Sequence, residues 1–201
     1  MTRPPPTDPI AQTSSEASAW NIANGLTVLR LLLVPVFAIA LFHDGGHNDG
    51  ARVVAAAIFF IASLTDRFDG EIARKRGLVT EFGKLADPIA DKALVGTALI
   101  GLSILGDLAW WITIVMVVRE VGVTLLRFWV IRHGVIAASR GGKIKTFVQS
   151  LAIWLYVLPL NGVWHTIAAV FMVAAVVLAL VTGADYVARA IRLRSGVAVQ
   201  T

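Results

Sequence analysis

The chain alternates long apolar runs with short polar connections. Apolar stretches occupy residues 26–42, 53–64, 93–105, 108–131, 147–160 and 167–187. A helix that crosses a bilayer needs about 20 mostly apolar residues. The runs 53–64 and 93–105 fall short of that, so the second helix must continue into the polar stretch beyond Leu64 and the third must begin before Ala93. No internal repeat is evident. The pattern predicts an all-α integral membrane protein, a six-transmembrane-helix bundle forming one domain over residues 20–194. Residues 1–19 contain Pro4-Pro5-Pro6 and Ser14-Ser15 but no apolar core of a signal peptide, and are expected to form a disordered cytoplasmic tail, with 195–201 as a C-terminal tail.

Composition narrows the class. Of 201 residues, 57% are hydrophobic and 15% charged, against about 25% charged in ordinary soluble domains. A soluble globular protein is excluded, and the lack of cysteine excludes a disulfide scaffold. The net charge of +5 fits topogenic Lys and Arg facing anionic lipid headgroups, and no nucleic-acid partner is expected. Position supports this. The connections at 43–52, 106–107 and 161–165 hold one Lys or Arg, Arg52. The alternate ones hold Arg67, Arg74, Lys75, Arg76 and Lys84, then Arg132, Arg140, Lys143 and Lys145, then Arg189, Arg192 and Arg194. Basic residues favour the cytoplasmic side, which predicts both termini inside a multi-pass protein of the cell (cytoplasmic) membrane.

Charge is scarce but concentrated. Twelve of the 31 charged residues lie between Asp66 and Lys92. A charge run is usually a solvated loop, but the spacing here is that of helix faces. Asp66 and Asp69 are three apart, Arg74 follows five later, and Asp87 and Asp91 are four apart. Gly77 and Gly83 bracket a short link that lets two helices run antiparallel with their Asp-bearing faces together. Four carboxylates meeting at a membrane boundary repel one another unless their pKa values rise or a cation sits among them. All-oxygen ligation suits Mg²⁺ or Mn²⁺, and such ions keep open positions for substrate phosphates. A metal–phosphate site is therefore favoured over a structural ion-pair network. His43, His47, His133 and His165 form no ligand spacing.

The residues Asp66-x2-Asp69-Gly70-x2-Ala73-Arg74-x8-Gly83-x3-Asp87-x3-Asp91 resemble the signature of the CDP-alcohol phosphatidyltransferase family at every fixed position. The resemblance implies a six-helix membrane enzyme that transfers a phosphatidyl group from CDP-diacylglycerol to an alcohol and releases CMP. It further implies two divalent cations, Mg²⁺ or Mn²⁺, with Asp66 and Asp87 shared by both, Asp69 completing one site and Asp91 the other. Asp91 is also the implied general base. For the CDP-diacylglycerol donor the implied contacts are Asp66, Gly70, Ala73, Arg74 and Thr80, joined by Asn24 and Thr27 of the segment Asn24-Gly25-Leu26-Thr27. That segment has a plainer reading as the N-cap of the first helix. Family members are often dimers, so a homodimer is among the expected assemblies, with the active site at the cytoplasmic face.

Within the family, Phe82-Gly83-Lys84-Leu85-Ala86-Asp87-Pro88-Ile89-Ala90-Asp91-Lys92 and Gly142-Lys143-Ile144-Lys145-Thr146 resemble the branch that uses sn-glycerol 3-phosphate and forms phosphatidylglycerol phosphate. The dianionic acceptor needs cations, and Arg119, Arg127, Lys143 and Lys145 are the candidates. For Lys143 and Lys145, topogenesis is an equal alternative. Arg119 lies within an apolar span and needs a function or a partner. Adjacent helical residues diverge by about 100°, which makes Glu120 a poor partner and leaves Asp107 as the other acid. Arg30, in the first span, is expected to snorkel or pair with the acidic cluster. Competing readings are a cardiolipin synthase with phosphatidylglycerol as acceptor, an inositol-type enzyme, and, from other classes, an ion-coupled transporter or a prenyl-diphosphate transferase.

Overall fold

A computed structural model describes residues 22–76, 81–130 and 140–194, with side chains described for 25–65, 88–126, 129 and 141–192. Among the described residues there are six α-helices and no strand: α1 (Ile22–Phe42), α2 (Asp49–Arg76), α3 (Glu81–Ile104), α4 (Trp110–Val130), α5 (Arg140–Val157) and α6 (Val163–Arg194). A 3₁₀ turn, His43–Gly46, joins α1 to α2. Gly46 has a φ of +79°, and a Cβ there would meet Leu105 Cδ1 at 2.7 Å, so the turn needs glycine both for its conformation and for its close approach to the end of α3.

The two short apolar runs are lengthened as their polar flanks require. α2 runs twelve residues beyond Leu64, and α3 begins twelve residues before Ala93. Gly83 therefore lies inside α3 and does not bracket the link, because the helix has already begun at Glu81. α1 begins at Ile22, which places Asn24 and Thr27 inside the helix, so neither is its N-cap. Among the described residues two segments are long and apolar enough to cross a membrane by length and composition, Gly25–Gly46 and Val163–Arg192. The other four helices have 28, 24, 21 and 18 residues, or about 27–42 Å at 1.5 Å per residue.

The helices pack with small and large side chains interleaved. Phe37, Leu41, Phe59, Leu99, Met116, Ile153 and Met172 are buried, with the Phe37 and Phe59 rings 5.8 Å apart. Ala55, Ala56, Ala62, Ala98, Ala152, Ala175 and Ala179 are buried beside them, and such small residues let helices approach closely. Outward faces are apolar: Leu32 and Ile39 on α1, Ile114, Val118 and Leu125 on α4, and Val170, Val173 and Val181 on α6 are exposed. Several polar side chains are buried inside the bundle, among them Thr27, Ser103, Thr113 and Gln149. Ser103 and Thr113 share a buried hydrogen bond of 2.7 Å between α3 and α4, and Thr113 donates to the Leu99 carbonyl.

One end of the bundle is held by Arg52. Its Nη1 pairs with Asp107 in the α3–α4 connection at 2.5 Å, its Nε donates to the Val157 carbonyl at 2.9 Å and its Nη2 to the Tyr156 carbonyl at 2.7 Å. This guanidinium joins α2, the α3–α4 connection and the end of α5. Asp107 is thereby committed to Arg52 and is not the partner of Arg119. Arg30 is also buried, with 1% of its surface exposed, and its Nε donates to the Ala62 carbonyl of α2 at 3.3 Å. Its position is interior, so it does not snorkel.

Candidate active site

The end of the bundle opposite Arg52 gathers the chemistry. Asp66, Asp69, Gly70, Ala73 and Arg74 lie in the last turns of α2, and Asp87 and Asp91 in the first turns of α3, with α2 and α3 in contact. Each pair of carboxylates has the helical spacing that places both on one side of its helix. The side chains of 66–87 lie outside the described residues, as do Thr80 entirely and the side chains of Asn24 and Arg127. Among the described residues no three His, Cys, Asp or Glu side chains converge, since Asp91 is the one member of the carboxylate set described to its tip. The set consists of oxygen donors only, which fits a hard divalent cation and neither a thiolate- nor an imidazole-preferring metal.

Asp91 opens onto a cleft of about 540 Å³ between α3, α4 and α5. Lys92, Val95 and Leu99 continue its α3 wall, Val117 and Glu120 form the α4 wall, and Lys145, Thr146 and Gln149 the α5 wall. Lys145 is buried and ion-paired with Glu120, whose carboxylate also accepts from Arg119 Nη1 at 3.3 Å. The Arg119–Glu120 pair corrects the expectation from the 100° divergence of neighbours: the long guanidinium bends back along the helix and bridges it. Arg119 faces mainly α6, where its Nε donates to the Ala179 carbonyl at 3.1 Å and its Nη2 to Thr182 Oγ1 at 2.8 Å. Gly183 makes room for it, since a Cβ there would lie 3.3 Å from Arg119 Cγ.

Of the acceptor candidates, Lys145 is placed in the cleft with Asp91, Arg119 stands behind it, and Lys143 is exposed and does not line it. Thr27 is buried in α1. Several residues of the cleft were not singled out from sequence as contributors to it, among them Glu120, Gln149 and Ser150. Their signal was faint: Gln149 follows Lys145 by four residues and so shares its face of α5, inside an otherwise apolar run.

Glu120 is thus shared by two basic side chains, Arg119 and Lys145, in the same cleft as the carboxylate of Asp91. An apolar exterior around this polar interior is the layout of a membrane enzyme. The sequence profile of the CDP-alcohol phosphatidyltransferases matches residues 20–181, and the chain belongs to that family. It is 60% identical, over 92% of its length and 89% of the relative's, to a protein of Mycobacterium tuberculosis named probable phosphatidylglycerophosphate synthase. It is 41% identical, over 83% of its length, to 93% of the Bacillus subtilis CDP-diacylglycerol–glycerol-3-phosphate 3-phosphatidyltransferase. A relative of the same name from Salmonella typhimurium is 38% identical over 78% of this chain and 88% of its own. The chain is accordingly a phosphatidyltransferase.

Proposed function

We propose that this enzyme makes phosphatidylglycerol phosphate and CMP from CDP-diacylglycerol and sn-glycerol 3-phosphate in phospholipid biosynthesis. The observation that carries the acceptor assignment is the meeting of Asp91 with Lys145 in one cleft, a carboxylate beside a cationic wall. The names of the relatives agree with it.

Asp66, Asp69, Asp87 and Asp91 would hold two divalent cations, Mg²⁺ or Mn²⁺, with Asp66 and Asp87 shared. When bound, these ions offset the diphosphate charge and ease the departure of CMP. Gly70, Ala73, Arg74 and Thr80, with Asn24 and Thr27, hold the CDP part of the donor, whose acyl chains stay in the bilayer. Asp91 takes the proton of the acceptor hydroxyl, which attacks the phosphorus bearing diacylglycerol. Lys145 holds the acceptor phosphate by charge, with Arg119, Arg127 and Lys143 as further cations of that end. All six helices span the cell membrane, both termini are cytoplasmic, and the site opens at the cytoplasmic face. The lysines and arginines of the alternate connections support that orientation.

Purified protein given CDP-diacylglycerol and each acceptor in turn tests the reading by CMP release and product identity. Release with glycerol 3-phosphate is expected. Release with phosphatidylglycerol or inositol alone would replace this acceptor.

A further inference from the structure

Gln149 is 97% buried by its 3% exposure, lines the cleft that Asp91 and Lys145 share, and its Oε1 has no hydrogen-bond partner. A buried amide oxygen left unpaired costs roughly 1–3 kcal/mol, and native interiors rarely leave one so. The cleft it lines is mixed, with apolar Val95, Leu99 and Val117 and polar Lys145, Thr146 and Ser150, and none of the polar groups is bonded to its Oε1. Lys145 and Gln149 lie one turn apart on the same face of α5, about 6 Å along the axis. Lys145 stands at the carboxylate-bearing end of the cleft, with Gln149 a turn deeper.

We infer that Gln149 is a specificity residue that hydrogen-bonds the non-reacting hydroxyl of the acceptor, selecting a vicinal diol phosphate over a simple alcohol phosphate. The inference rests on the glycerol 3-phosphate reading above. That acceptor has three polar groups. The phosphate takes Lys145, the attacking terminal hydroxyl takes Asp91, and the middle hydroxyl is left to the other polar side chains of the cleft, Lys92, Glu120, Thr146, Ser150 and Gln149. Gln149 is the buried group there with unmet hydrogen-bonding capacity. Because an amide both donates and accepts, either orientation of its head serves a hydroxyl. A site built to pair a hydroxyl rejects an analogue that lacks it, since the amide is then left unpaired.

The test compares sn-glycerol 3-phosphate with 3-hydroxypropyl phosphate, which lacks the middle hydroxyl, in wild-type protein, Gln149→Met and Gln149→Ala. Wild type is expected to prefer the diol by about tenfold or more in kcat/KM. Either variant should bring the ratio close to one, mainly by raising KM for glycerol 3-phosphate, with KM for CDP-diacylglycerol unchanged. Gln149→Met nearly preserves volume; should it fail to fold, the ratio is read from Gln149→Ala. A variant that keeps the wild-type preference overturns the inference, as does a wild type that uses both acceptors equally. A wild type inactive with glycerol 3-phosphate but active with another acceptor overturns the acceptor reading and this inference together.

Discussion

Lys145 on α5 and Glu120 on α4 are ion-paired in the wall of the cleft that Asp91 lines, and Arg119 donates to the same carboxylate. The pair sits where both ions are largely out of solvent, with side-chain exposures of 4% for Lys145 and 22% for Glu120. Burying a charge is favourable only when it is paired and hydrogen-bonded. Here one acid, Glu120, serves two bases, and Asp91 adds a second carboxylate to the same cleft. In the proposed reaction Lys145 also faces the acceptor phosphate.

Replacing Lys145 by Met removes a buried cation from the cleft that Asp91 lines while Arg119 still pairs with Glu120. KM for glycerol 3-phosphate should rise about tenfold or more, as for loss of a charge-assisted hydrogen bond. KM for CDP-diacylglycerol should stay put. Steady-state kinetics with each substrate varied separately distinguish this from a general loss of activity, which would count against Lys145 as an acceptor contact.

Asp91→Asn keeps the size of the side chain and removes its capacity to take a proton. CMP release should fall by about a hundredfold to ten-thousandfold, the range for a lost general base. The variant should remain monodisperse in detergent with a melting temperature near wild type. Retention of a tenth or more of the activity would remove Asp91 from that role.

Chelation of divalent cations should abolish CMP release, and Mg²⁺ or Mn²⁺ should restore it. The donors are carboxylate oxygens alone, so Zn²⁺ should restore it poorly. Activity that persists through exhaustive chelation would contradict the two-cation reading.

Arg52→Ala leaves Asp107 and the carbonyls of Tyr156 and Val157 without their shared donor. The loss should destabilise the fold by about 2–4 kcal/mol, as for removal of one partner from a buried charged network. Thermal unfolding in detergent measures it. Since Arg52 lies at the opposite end from Asp91, the fraction that remains folded should keep the wild-type KM values.

Orientation can be read by labelling, because the chain contains no cysteine. A membrane-impermeant maleimide applied to intact cells should modify Asn161→Cys, in the α5–α6 connection, and spare Thr201→Cys until the cells are opened. Labelling of Thr201→Cys in intact cells would reverse the proposed topology.

The extent of the helices was legible from the sequence. Period and run length located all six, and the need for spanning length extended α2 past Leu64 and α3 back before Ala93, as found. The signature from Asp66 to Asp91 was legible too, because spacing on a helix is a local property. Helix starts were less so. Asn24 and Gly83 look like a cap and a breaker, but the helices already include them, since packing outweighs local propensity of that size.

Sequence by itself therefore determined the class of protein, the family signature and which residue types the chemistry draws on, all of which are carried by composition and local register. Tertiary structure alone decided the pairings. Arg119 turned to α6 and bent back to Glu120, Asp107 went to Arg52, Arg30 went inside, and Gln149 was left with an unpaired oxygen beside Asp91 and Lys145. Long side chains reach several neighbours at comparable cost. Which one they meet depends on the helix faces that packing sets together, and no linear spacing encodes that.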